Sequence, residues 1–194
     1  MPKQPLKSIK NLMDLKGFLD RRYSVLAAGA FIAMLGQFIP YYYISTYMQA
    51  TNPTSPARNY LLPLMNASSF VGRILGGFAA DATGPANIVY PMTILSGLLC
   101  LGTWAVTSSI PVLISFVTLY GFCSGVYIAV LPAIVAQITP HALLGARIGA
   151  FYSVLAVAQL VGSPVGGLLI RKGNGNGGEG EEGYLGLVVF AVCP

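Results

Sequence analysis

From position 24 onward the chain alternates between long apolar stretches and short turns rich in Gly, Pro, Asn, Ser and Thr. The stretches at residues 24–48, 60–80, 88–107, 111–138 and 147–170 each reach the roughly 20 residues that a helix needs to cross a bilayer. A last run, 184–194, has about half that length. The pattern predicts an all-α integral membrane fold with five complete spans and a truncated sixth. Residues 49–59 and 171–183 read as loops, the second of low complexity. Residues 81–87 read as a tight turn punctuated by Gly84 and Pro85.

The polar positions inside the spans are few, and they are spaced for helix faces. Asn66, Ser69 and Arg73 fall at i, i+3 and i+7, a single polar stripe on the second span. A guanidinium at that depth costs about 2.5–3.5 kcal/mol to insert, so it is expected to face a cavity or a partner. Gln37, Tyr41 and Ser45 stack on the first span, with Pro40 as a kink. The tyrosines Tyr41, Tyr42, Tyr43 and Tyr47 also read as an interfacial belt. Tyr120, Ser124 and Tyr127 share a face of the fourth span beside a small-xxx-small pair, Gly121 and Gly125. Tyr152, Gln159 and Ser163 do so on the fifth. Beside Asn66, Ser69 and Arg73, the cavity candidates by polarity and face are Gln37, Tyr41, Tyr120, Ser124, Tyr127, Tyr152 and Gln159.

Composition sharpens the membrane reading, because 55% of the 194 residues are hydrophobic and only 9% charged, against about 25% charged in soluble domains. The net charge of +5 does not point to nucleic acid. Lys3, Lys7, Lys10, Lys16, Arg21 and Arg22 all precede the first span, as on a cytosolic flank. Residues 1–22 are therefore a cytosolic lead-in, with Ile9, Leu12, Leu15 and Leu19 at amphipathic spacing, and residues 23–194 form the transmembrane part. Arg147 lies on the same inner side. His141, alone in a loop, reads as solvated. Asp14, Asp20, Asp81, Glu179, Glu181 and Glu182 are the acids, and none falls inside a span. Intramembrane hydrolysis by paired aspartates, by a His/Glu metal cluster or by a Ser/His pair lacks its residues, and no cofactor site is expected.

Around Arg73 the chain resembles the major facilitator superfamily. Gly77, Asp81 and Gly84 match that superfamily's Gly-x-x-x-Asp-x-x-Gly turn between helices eight and nine. With residues 42–47, 119–125, 147–153 and 162–167, the likeness extends to the carboxy-terminal half of monocarboxylate-transporter-like porters, particularly their fungal branch. The resemblance implies a major-facilitator-type six-helix half bundle. It implies too that an amino-terminal half, missing here, would supply the other wall of a mid-bilayer site, leaving this chain inactive alone. By that resemblance Arg73 corresponds to the arginine associated with a substrate carboxylate, a role its bidentate fork suits. Asp81, at a helix end beside a tight turn, reads as a cytoplasmic-gate residue through a cap or ion pair, with Arg147 at the inner end of the fifth span as its candidate partner. The family's aspartate four residues before this arginine is Ser69 here, a departure that bears on protons as the coupling ion.

The leading expectation is symport of a monocarboxylate or similar small organic anion across the plasma membrane or an organellar one, with the amino terminus cytoplasmic. Export of a larger metabolite is the alternative on the same fold. A polytopic receptor or scaffold is the alternative from another class.

Overall fold

The computed structural model describes residues 15–51, 54, 56–104 and 109–169, and every regular element among them is helical. A short 3-10 turn, Leu15–Leu19, leads into α1 (Arg21–Gln37), and Asp20 caps that helix by accepting from the Arg22 N–H at 3.1 Å. The chain breaks at Phe38 and resumes as α2 (Ile39–Thr51). The break follows from Pro40, which has no N–H to offer the Gly36 carbonyl; that carbonyl accepts instead from the Phe38 N–H. The expected kink in the first span is thus a full interruption.

α3 (Arg58–Thr83) and α4 (Pro85–Leu99) are separated by Gly84 alone. The turn expected over residues 81–87 therefore shrinks to one residue. Gly84 has φ 97°, a conformation unfavourable to residues with a Cβ, and its N–H closes on the Ala80 carbonyl at 2.8 Å. Pro85 then starts the next helix with φ already set. α4 gives way to a π-turn, Cys100–Trp104, short of the expected end at 107. α5 (Ile110–Gln137), a 3-10 turn (His141–Leu143) and α6 (Leu144–Leu169) complete the described chain.

Among the described residues four segments are long and apolar enough to cross a membrane: Arg21–Gln49, Pro85–Gly102, Ile110–Gln137 and His141–Leu168. At 26 residues α3 has the length, about 39 Å. Arg58, Asn59, Asn66, Arg73 and Asp81 keep it less apolar than those four. The partial span expected at 184–194 lies outside the described residues.

The bundle is organised on α5, where α3 packs most closely. Gly121 and Gly125 of α5 receive the backbones of Met65 and Ser69, while Gly72 of α3 receives the backbone of Phe122. A Cβ at any of these three glycines would strike a carbonyl of the facing helix. Because 65 meets 121 and 69 meets 125, the helices run parallel, with α4 as the return crossing. α1 and α6 pair in the same sense: Tyr23 donates to the Arg147 carbonyl at 2.8 Å, Gly162 meets the Leu35 backbone, and Tyr43 donates to the Ser163 carbonyl at 3.0 Å.

Two apolar clusters fill the interior. One contains Ile44, Met48, Leu61, Met65, Leu113 and Phe116; the other contains Ala27, Met34, Val130, Leu131, Phe151 and Leu155. Along both α1–α2 and α5 the change from one cluster to the other falls at the same depth. What lies there is polar.

A polar layer at mid-depth

Gln37, Ser69 and Ser124 are buried side chains from three elements, and they meet at the level where the two apolar clusters part. Tyr120 donates to the Gln37 carbonyl at 2.9 Å, bonding the last residue of α1 just before its break. The Tyr41 hydroxyl lies 2.6 Å from Ser124 Oγ, and Ser124 Oγ donates to the Gly121 carbonyl at 2.9 Å. One hydroxyl carries one proton, so Tyr41 is the donor to Ser124. Ser69 stands in the same layer because its backbone rests on Gly125. Gln37 Nε2 and Ser69 Oγ are both buried there without a hydrogen-bond partner among the described residues. Orphaned buried groups cost about 1–3 kcal/mol each, so this layer has unmet hydrogen-bonding demand.

The stripe read on α3 divides. Ser69 turns into the contact with α5, whereas Asn66 and Arg73 are exposed at the surface of the described bundle. Asn66 Nδ2 donates back to the Leu62 carbonyl at 2.9 Å. Arg73 comes one turn after Ser69, about 15 Å from the end of α3 at Thr83, which is about half of a hydrocarbon core. Among the described residues no carboxylate pairs with its guanidinium. Phe70, Val71, Ile74 and Phe78 surround that face of α3 and are exposed as well.

Gly77, Asp81 and Gly84 occupy the end of α3. A Cβ at Gly77 would meet nothing within 4 Å, Asp81 is exposed, and Gly84 makes the one-residue turn. Asn87 Nδ2 donates to the Thr83 carbonyl at 2.8 Å and holds that turn from the far side. Sequence reasoning passed over Asn87, although an amide two residues past a Gly-Pro pair is a recognisable capping signal. Arg147, expected as an inner-side partner for Asp81, here pairs with Asp20 at 3.7 Å and lies 5.6 Å from the centre of the Tyr23 ring.

The remaining candidates scatter. Tyr127 is buried and borders a separate cleft of about 490 Å³ between α1, α4 and α5. Tyr152 packs edge-on to Phe151 at 5.8 Å, and Gln159 is half-buried two turns further along α6. Of the tyrosines read as a belt, Tyr42 is exposed, but Tyr47 is buried and Tyr41 and Tyr43 are half-buried and hydrogen-bonded to α5 and α6. The structure therefore assembles Gln37, Tyr41, Ser69, Tyr120 and Ser124 into one layer, with Arg73 nearby on α3, and leaves Tyr127, Tyr152 and Gln159 outside it.

Residues 26–192 match the profile of the Major Facilitator Superfamily. The chain is 36% identical over 179 residues to a protein of Gibberella moniliformis called MFS-type transporter, covering 92% of this chain and 41% of that one. It is 32% identical over 166 residues to the agnestins efflux protein of Paecilomyces divaricatus, covering 86% of this chain and 36% of that one. To the aspyridones efflux protein of Emericella nidulans it is 30% identical over 185 residues, covering 95% and 36% respectively. It thus spans about two fifths of the length of these relatives. No solved structure matches it.

Proposed function

The chain belongs to the Major Facilitator Superfamily, and from that premise we propose that it forms the carboxy-terminal wall of a secondary transporter for an organic anion. Its fold is that of a multi-pass membrane protein, and its relatives are transporters rather than enzymes. In this reading α3 crosses the membrane despite its polar residues, the amino terminus is cytoplasmic, and an amino-terminal half faces Arg73 across the cargo site. Lys3, Lys7, Lys10, Lys16, Arg21, Arg22 and Arg147 on the inner side, against Arg58, Arg171 and Lys172 outside, support that orientation.

The observation that carries the reading is Arg73. A guanidinium halfway along a helix, exposed on the described bundle and unpaired with any acid there, supports a binding role toward an anionic oxygen. The polar layer one turn away supplies hydrogen bonds at the same depth. Efflux is the direction we favour, because two of the relatives are named as efflux proteins of agnestins and of aspyridones. A monocarboxylate is the second reading, favoured by the fit of one arginine to one carboxylate. Protons as the coupling ion would need a carrier from the other half or the cargo, since every acid of this chain lies outside the expected spans.

The test joins this chain to an amino-terminal half and follows labelled pyruvate and a labelled naphthoate in vesicles. Arg73→Ala should abolish movement of whichever anion is carried while leaving expression intact. Arg73→Lys should impair it too, because an ammonium cannot reproduce the two parallel hydrogen bonds. Undiminished transport by the alanine variant would remove Arg73 from the site.

A further inference from the structure

The cleft between α1, α4 and α5 belongs to neither the polar layer nor the Arg73 face. Its walls run from Arg22 to Ala33 on α1 and from Val89 to Ile94 on α4, and its floor from Tyr127 to Ile138 on α5. The eleven helical steps from Arg22 to Ala33 give it a length of about 16 Å, close to the half-thickness of a hydrocarbon core, about 15 Å. The walls are apolar, and the hydroxyl of Thr93 is spent on the Val89 carbonyl at 2.9 Å. Rim residues Val25, Tyr90 and Ile94 are each more than three-fifths exposed, so the cleft opens sideways.

Its one charged wall residue stands at the end. Arg22 is exposed at the first turn of α1, with Arg21 beside it. Asp20, the nearest acid in sequence, gives one oxygen to the Arg22 backbone and turns the other to Arg147. Lys3, Lys7, Lys10 and Lys16 precede it, and a basic run next to a first span draws anionic headgroups. The cleft thus has the depth of one leaflet, apolar sides and a cation where headgroups lie.

We propose that this cleft is a binding site for an anionic phospholipid of the cytoplasmic leaflet, its phosphate on Arg22 and one acyl chain along α1 between Val25 and Ala33. The site stands apart from transport, so its test does not depend on cargo.

The chain is reconstituted in vesicles of equimolar phosphatidylserine and phosphatidylcholine, extracted gently, and its retained lipid measured by native mass spectrometry. Wild type should retain phosphatidylserine preferentially. Arg22→Gln should lower the serine-to-choline ratio about fivefold, the factor for one basic residue at an anionic surface. Gly29→Leu should empty the cleft of both lipids without disturbing the fold, since a Cβ at Gly29 meets nothing within 4 Å and leucine is the better helix former. Equal retention by wild type and both variants would overturn the site. So would cross-linking from a cysteine at Ala33 to residues 184–194 or to a second copy of the chain, either of which would identify a protein occupant instead.

Discussion

Gly125→Ala is the sharpest test of how α3 and α5 meet. The added Cβ would sit 2.8 Å from the Ser69 carbonyl carbon, and still closer to its oxygen. Carbon atoms rest at about 3.5–4.0 Å, so the two backbones must part by about 1 Å. No flexible side chain can yield, because the obstacle is the main chain of a helix. Overpacking of that kind costs about 1–3 kcal/mol, and methyl-for-hydrogen exchange in a helix returns up to about 1 kcal/mol through propensity. With that return in full, the net loss is about 0–2 kcal/mol, and Gly125→Ala should fall about 1–3 kcal/mol below a control that gains the propensity without the clash. Gly77→Ala is the internal control: it lies on the same helix pair, it gains the same propensity, and its Cβ meets nothing. Reversible unfolding in mixed micelles, titrated with denaturing detergent, should show Gly125→Ala destabilised and Gly77→Ala unchanged or slightly more stable. If the two variants unfold together, the helices do not touch at Gly125, and the parallel crossing argued from Gly72, Gly121 and Gly125 is wrong.

Two further expectations concern the turn and the layer. Gly84→Ala forces a Cβ into φ 97° and should cost about 1–2 kcal/mol in the same unfolding titration; an unchanged midpoint would mean that the turn rearranges freely. Tyr120→Phe removes only the hydroxyl on the Gln37 carbonyl, worth about 0.6 kcal/mol inside a membrane. It should also raise amide exchange around residues 38–42, and an exchange pattern identical to wild type would show that this bond does not hold the break.

The same residues mark how far the sequence could be read. The membrane class, most helix positions to within a few residues and a bend near Pro40 were legible because each depends on local chemistry: an apolar run, a missing N–H, a Gly-Pro pair. The face shared by Gln37 and Tyr41, and that shared by Tyr120 and Ser124, were visible as spacings. That these two faces meet each other was not. Periodicity says which residues lie together on one helix and is silent about what stands opposite. For the same reason Ser69 and Arg73 looked like one stripe, although only Arg73 stays clear of α5. Gly72 and Gly76 repeat the spacing of Gly121 and Gly125, yet their significance appears only once the two helices are side by side.

Composition and local pattern alone determined that this chain enters a membrane, where it bends, and that one arginine, Arg73, falls within an otherwise apolar run, since placing those runs in water or in lipid is decided residue by residue. Tertiary structure decided which polar groups form the mid-depth layer, that Arg147 reaches Asp20, and where a leaflet-deep cleft opens. Those outcomes depend on which helix backbones can approach within a methyl group of one another, and contact between distant segments leaves no trace in the order of residues along either one.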